Sequence, residues 1–233
     1  AELDSSYVRE RDADSLYSAL QERTPPGSYD SGEGIIVNNN EIFGQPSDID
    51  NNNRVHILLT DVKDGREKSS EAPFVAGFFH PTDLNPNNQT ANQAEVLYLD
   101  TRPGIYTDDG EYRLALNLQS TAAHEYQHLL HANYDVKEVT FVNEGLSEWA
   151  EILNGYPHRP AGYLSRSNDS TGYNINLFLW RGSEDNVLYD YQRAGLFTHY
   201  MAEQFGVMET GAVTRSGLRG IEGYSNTLLQ DRS

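Results

Sequence analysis

The chain has 233 residues, 35 acidic against 17 basic side chains, a formal net charge of −18 and no cysteine. Such a surface repels a phosphate backbone or an anionic bilayer, so neither nucleic acid nor a membrane surface is an expected partner. Disulfides and zinc–thiolate sites are excluded, and no run of about 18 apolar residues suggests a membrane span.

The acidity fits solubility, cation binding or attraction for basic substrates. The length suffices for a sizeable core. The opening Ala1-Glu2-Leu3-Asp4 has neither the basic start nor the apolar stretch of a signal peptide. A mature secreted form, a cytosolic protein and a trimmed one would all begin this way.

In chain order, residues 1–23 read as a helix with Tyr7, Leu16 and Leu20 as apolar contacts. Thr24 to Gly34 is a turn-rich break. Strands are predicted at Gly34–Val37, at Arg54–Val62 (apolar enough for a sheet interior), at Pro73–His80 and at Glu95–Thr101. Lys63–Ala72 and Pro81–Gln93 are polar loops. Ahead of the second strand, Asp48, Asp50 and Asn52 present oxygen side chains at alternate positions. That pattern suits calcium, although Asn53 and Leu59 stand where an EF-hand needs Gly and Glu. The alternative is an Asx-rich turn.

The pattern then turns helical. Ser120–Asn133 is one helix. Asn143–Leu153 is a second, with Asn143 as its N-cap, Asn154-Gly155 as its stop, and Leu146, Trp149, Ala150 and Leu153 at helical spacing. A loop spans Tyr156–Gly172. A third helix covers Tyr191–Phe205, with Ala194, Phe197, Tyr200, Met201 and Phe205 on one side. The expected class is α+β, a single unit over residues 1–233 with a strand-rich part (1–118) and a helical part (119–233).

His124-Glu125-Tyr126-Gln127-His128 carries the chemistry. Residues four apart on a helix share a face, so both imidazoles can reach one ion. Glu125, one position round, can sit beside a coordinated water and take its proton. A catalytic zinc needs a third ligand. Glu144 of the downstream Asn143-Glu144-Gly145-Leu146-Ser147-Glu148 stretch supplies a candidate at a sixteen-residue gap. Glu148, four residues on, suits an outer carboxylate that orients a ligating histidine. His131 shares the His124 face but lies about 10 Å along it, too far to join the same ion, and reads as structural.

The HEYQH and NEGLSE phrases together resemble the gluzincin metalloproteases. The nearer likeness is to the hyicolysin family of bacterial neutral metalloproteases. It extends to ILLTDV, to Tyr-Leu-Asp-Thr at 98–101, and to the stretch from Leu196 to Gly206. The resemblance implies a zincin-like fold with the active-site helix between a sheet-rich and a helical lobe, secretion, and zinc-dependent cleavage inside protein or peptide substrates. It assigns His124, His128 and Glu144 as zinc ligands and Glu125 as the base. The gap before Glu144 is shorter than in thermolysin, so the oxyanion donor does not transfer by alignment. Tyr191 is preferred over Tyr189, Tyr134 and His199. Substrate is expected to pair with an edge strand, with Glu95–Thr101 as the candidate. The alternative function is a non-catalytic, metal-stabilised binding or adhesion module derived from a protease. An intact Glu125 argues against it, because a structural site has no use for a base.

Overall fold

The computed structural model describes residues 8–64, 74–107, 109–113, 115–157, 176–180 and 187–229. The expected contact Tyr7, the start of the Pro73–His80 strand, and most of the 63–72 and 156–172 loops lie outside them. Among the described residues there are seven α-helices and one three-stranded sheet, an α+β arrangement. None of these helices is long and apolar enough to cross a membrane.

Helix α1 (Glu10–Gln21) opens on a reciprocal cap, in which the Arg9 N–H donates to Asp12 at 2.8 Å. Helix α2 (Ile35–Phe43) replaces the strand expected at Gly34–Val37. Its buried positions, 35, 38, 39, 42 and 43, follow the helical period. Two of them are Asn38 and Asn39, which hide the apolar stripe. Both are buried amides with partners: Asn38 donates to Asn154 at 3.3 Å, Asn39 to the Ala123 carbonyl at 3.2 Å, and Asn154 back to Asn39 at 2.7 Å. The cluster ties α2 to the two helices that carry the candidate centre. The first half is therefore mixed rather than strand-rich.

Strand β1 (His56–Thr60) pairs in parallel with β3 (Val96–Asp100), and β2 (Gly77–Phe79) pairs with β3 antiparallel, in the order β1-β3-β2. The expected roles are thus exchanged. The Arg54–Val62 segment forms an edge strand, and the Glu95–Thr101 segment forms the centre. Burial agrees, since Leu97 and Leu99 of β3 are wholly enclosed while Leu58 of β1 is exposed. Phe78 of β2 stacks on its register partner Tyr98, with ring centroids 4.5 Å apart.

Beneath β2 and β3 runs α3 (Ala115–Tyr134), buried on nearly every side. Leu118, Ala122, Ala123, Tyr126, Leu129 and Leu130 join the hydrophobic core. Its polar residues His124, Glu125, Gln127 and His131 are buried as well. Such a helix needs polar partners on its neighbours. Helix α4 (Thr140–Leu153) supplies several of them. It begins earlier than expected, capped at Val139, so Asn143 lies inside the helix and is free to act as a side chain. Leu146, Trp149, Ala150 and Leu153 are buried as the spacing predicts, and Asn154 ends the helix.

Helix α5 (Val187–Phe205) packs along α4, and the short α6 (Val207–Gly211) and α7 (Gly220–Leu229) complete the chain. On α5, Ala194 is buried, but Tyr200 is exposed rather than packed. The α4–α5 seam depends on two glycines. A Cβ on Gly195 would stand 2.8 Å from Glu148 Cβ, and one on Gly145 would stand 2.9 Å from the Ala194 carbonyl. Gly195→Ala is therefore expected to destabilise the protein by about 1–3 kcal/mol, read as a lower urea midpoint with an unchanged slope.

Candidate metal centre

Helix geometry places His124 and His128 on one face of α3, with ring centroids 4.8 Å apart. Glu144, in the second turn of α4, meets them. Its Oε2 lies 3.3 Å from His124 Nε2 and 3.3 Å from His128 Nε2. Ligand atoms of the three residues all fall within 4.8 Å of one another. All are shielded from water, and His124 is buried.

The outward nitrogens of both rings are held. His124 Nδ1 is 2.9 Å from Glu151 Oε1. A carboxylate oxygen can only accept, so Nδ1 carries a proton, and Nε2 is turned toward Glu144. Ser120 Oγ donates to the other oxygen of Glu151 at 2.5 Å. His128 Nδ1 lies 3.2 Å from Asn143 Oδ1, which directs its Nε2 the same way. The carboxylate within hydrogen-bond reach of His124 Nδ1 is Glu151, where Glu148 was the expected one. Glu148 Oε1 stands 3.6 Å from the ring nitrogen, beyond a hydrogen bond. Glu144, Glu148 and Glu151 follow i, i+4, i+7 spacing, so the stripe was legible one turn further than it was read. Asn143 escaped because it was assigned to the cap.

The local electrostatics follow from burial opposed by charge. Burial pushes Glu144 up, but the two imidazoles outweigh it and hold its carboxyl far below the usual range. Burial lowers His124 and His128, but the carboxylates around them, Glu144 with Glu125 and, at His124, Glu151, together outweigh it and raise both imidazoles. Glu125 is raised by burial, with His124 and His128 pulling the other way and the Phe79 N–H donating to it. His131 is different: burial, aided by His128, pushes it down to about 4. It lies 3.9 Å from Glu138 and outside the cleft lining, as a structural residue should.

These groups face a cleft of about 310 Å³. Its walls include Gly77, Phe78 and Phe79 of β2, His124, Glu125 and His128 of α3, Glu144 of α4, and Tyr191. Tyr191, the expected first residue of the third helix, lies in the second turn of α5. Its ring sits 6.2 Å from that of His124 and 4.9 Å, edge-on, from Trp180. The other candidates lie elsewhere. Tyr134 bonds the Gln45 N–H at 2.9 Å, His199 is half-buried near Glu203 at 3.8 Å and outside the cleft lining, and Tyr189 is outside that lining too.

The chain is 32% identical over 176 residues to the neutral metalloprotease ShpI of Staphylococcus hyicus. The chain belongs to a metalloprotease family. The match takes in 70% of this chain, which spans only 38% of that relative's length. No family model matches the chain.

The segment expected to bind calcium is also altered. Carboxylate oxygens of Asp48 and Asp50 lie within 4.8 Å of one of Glu95. Asn52 acts as a donor, its backbone N–H reaching Asp48 at 3.0 Å and its amide nitrogen reaching Asp50 at 2.5 Å.

Proposed function

We propose that this chain is the catalytic unit of a secreted zinc endopeptidase of the gluzincin type, in which His124, His128 and Glu144 hold the ion. The observation that carries the reading is the spacing of the three atoms. Tetrahedral zinc with bonds of about 2.0–2.1 Å sets neighbouring ligand atoms about 3.3 Å apart. Both imidazole-to-carboxylate distances in this centre are 3.3 Å. Three side chains, two of them imidazoles whose Nδ1 atoms are held by Glu151 and Asn143, suit a catalytic rather than a closed structural set.

Zinc held there would lower the pKa of a coordinated water toward neutrality and polarise the scissile carbonyl. Glu125 takes the water's proton and hands it to the departing amine. Tyr191, on the cleft wall, is the proposed donor to the oxyanion. The substrate backbone is assigned to β2. Unlike β3, this strand is paired on one side only among the described residues, and it borders the cleft.

The alternative, a binding module with a relic site, gains nothing from the likeness to a metalloprotease. Incubation with denatured casein should give internal cuts by peptide mapping. A chelator should abolish them, and zinc should restore them. Intact casein after zinc loading would reject the reading.

A further inference from the structure

The face of α4 that meets α3 carries Glu144, Ser147 and Glu151 at i, i+3 and i+7. Glu144 is a proposed ligand and Glu151 holds His124, which leaves Ser147. It is fully buried, as is Gln127, the residue before His128 on α3. Ser147 Oγ lies 2.5 Å from Gln127 Oε1, 3.1 Å from the Asn143 carbonyl and 3.1 Å from His128 Nδ1. A hydroxyl has one proton to donate and two lone pairs. The amide oxygen and the carbonyl can only accept, so they compete for that proton, and the shorter contact gives it to Gln127. The hydroxyl therefore meets His128 Nδ1 as an acceptor. Asn143 Oδ1, at 3.2 Å, is a second acceptor at the same nitrogen. Gln127 is kept there at a cost. Its Nε2 is buried without a hydrogen-bond partner, where a leucine or methionine would leave nothing unsatisfied. Packing alone does not explain an amide at this position.

We propose that Ser147 is a positioning residue for His128 and that Gln127 aims its hydroxyl, an inference that rests on the reading of His128 as a zinc ligand. Gln127 draws the hydroxyl proton away from the imidazole. A lone pair of Oγ then receives the His128 Nδ1–H, and Nε2 faces Glu144, 3.3 Å away. The two histidines are thus held by different means. A carboxylate accepts strongly, and Glu151 holds His124 through one contact of 2.9 Å. Neutral oxygens accept more weakly, and His128 has two of them. Without Ser147, the ring would keep only the Asn143 contact and could tilt away from Glu144.

Two readouts test this without recourse to turnover. Competition with a chromogenic chelator gives the zinc dissociation constant, and cobalt(II) in place of zinc reports the site geometry through its visible absorption bands. In Ser147→Ala the zinc dissociation constant should rise about tenfold, and the cobalt bands should shift. Ser147→Thr keeps the hydroxyl and should restore both. Gln127→Met keeps the size but removes the acceptor that aims the hydroxyl. It should weaken zinc binding in the same direction, and it provides the second measurement if the serine variants misfold. A hydroxyl that only packs would lower the urea midpoint of Ser147→Ala with zinc affinity and cobalt bands unchanged, and that result would overturn the proposal. Unmutated protein that took up no zinc would overturn the zinc reading itself, and this inference with it.

Discussion

Replacing Glu125 by Gln should lower kcat/KM on a peptide substrate by about 10²–10⁴-fold while leaving fold and zinc content unchanged. The reasoning is geometric. Glu125 is adjacent to His124 on α3 and lines the same cleft, yet it does not belong to the converging ligand group. Gln keeps the shape and can still accept the Phe79 N–H through its amide oxygen. What it loses is the ability to take a proton. Circular dichroism and metal analysis should therefore match the unmutated protein, and only turnover should fall. A Glu125→Gln protein that retained ordinary turnover would refute the assignment of the base.

His128→Ala should have the second large effect, through loss of the ion. Two of three ligands then remain, and Glu144 loses one of the two imidazoles that hold it ionised in a buried setting. Purified His128→Ala protein should contain well under one zinc per chain. Glu151→Ala makes an informative companion. It removes the carboxylate that fixes the His124 tautomer but no proposed ligand, so zinc affinity should fall about 10–100-fold rather than vanish. Competition with a chromogenic chelator measures both. Equal zinc affinity in the His128→Ala and unmutated proteins would exclude His128 as a ligand.

The convergence of His124, His128 and Glu144 was legible because helix spacing is a short-range rule, and the first two lie four residues apart. Glu144 was legible only through its company. The core face of α4 could be read for the same reason, since Leu146, Trp149, Ala150 and Leu153 are apolar and periodic. Helix α2 was lost because Asn38 and Asn39 occupy its buried stripe, and nothing in the sequence reveals that Asn154, more than a hundred residues away, will satisfy them. Strand order was lost too. Whether a strand lies at the centre or the edge depends on pairing partners, and both Arg54–Val62 and Glu95–Thr101 are apolar enough for either place. Glu95 was read only as the start of a strand, because its meeting with Asp48 and Asp50 arises from the fold rather than from spacing.

Strand β2 spans only three residues, yet it touches both halves of the proposed chemistry. Its Phe79 backbone lies close enough to Glu125 to lower that carboxyl, and the side left unpaired among the described residues is the rail along which a peptide would lie. Docking and base placement would then share one mechanical part. A substrate that tugs on this short ribbon also tugs on the proton acceptor, so changes in the strand should move substrate affinity and turnover together.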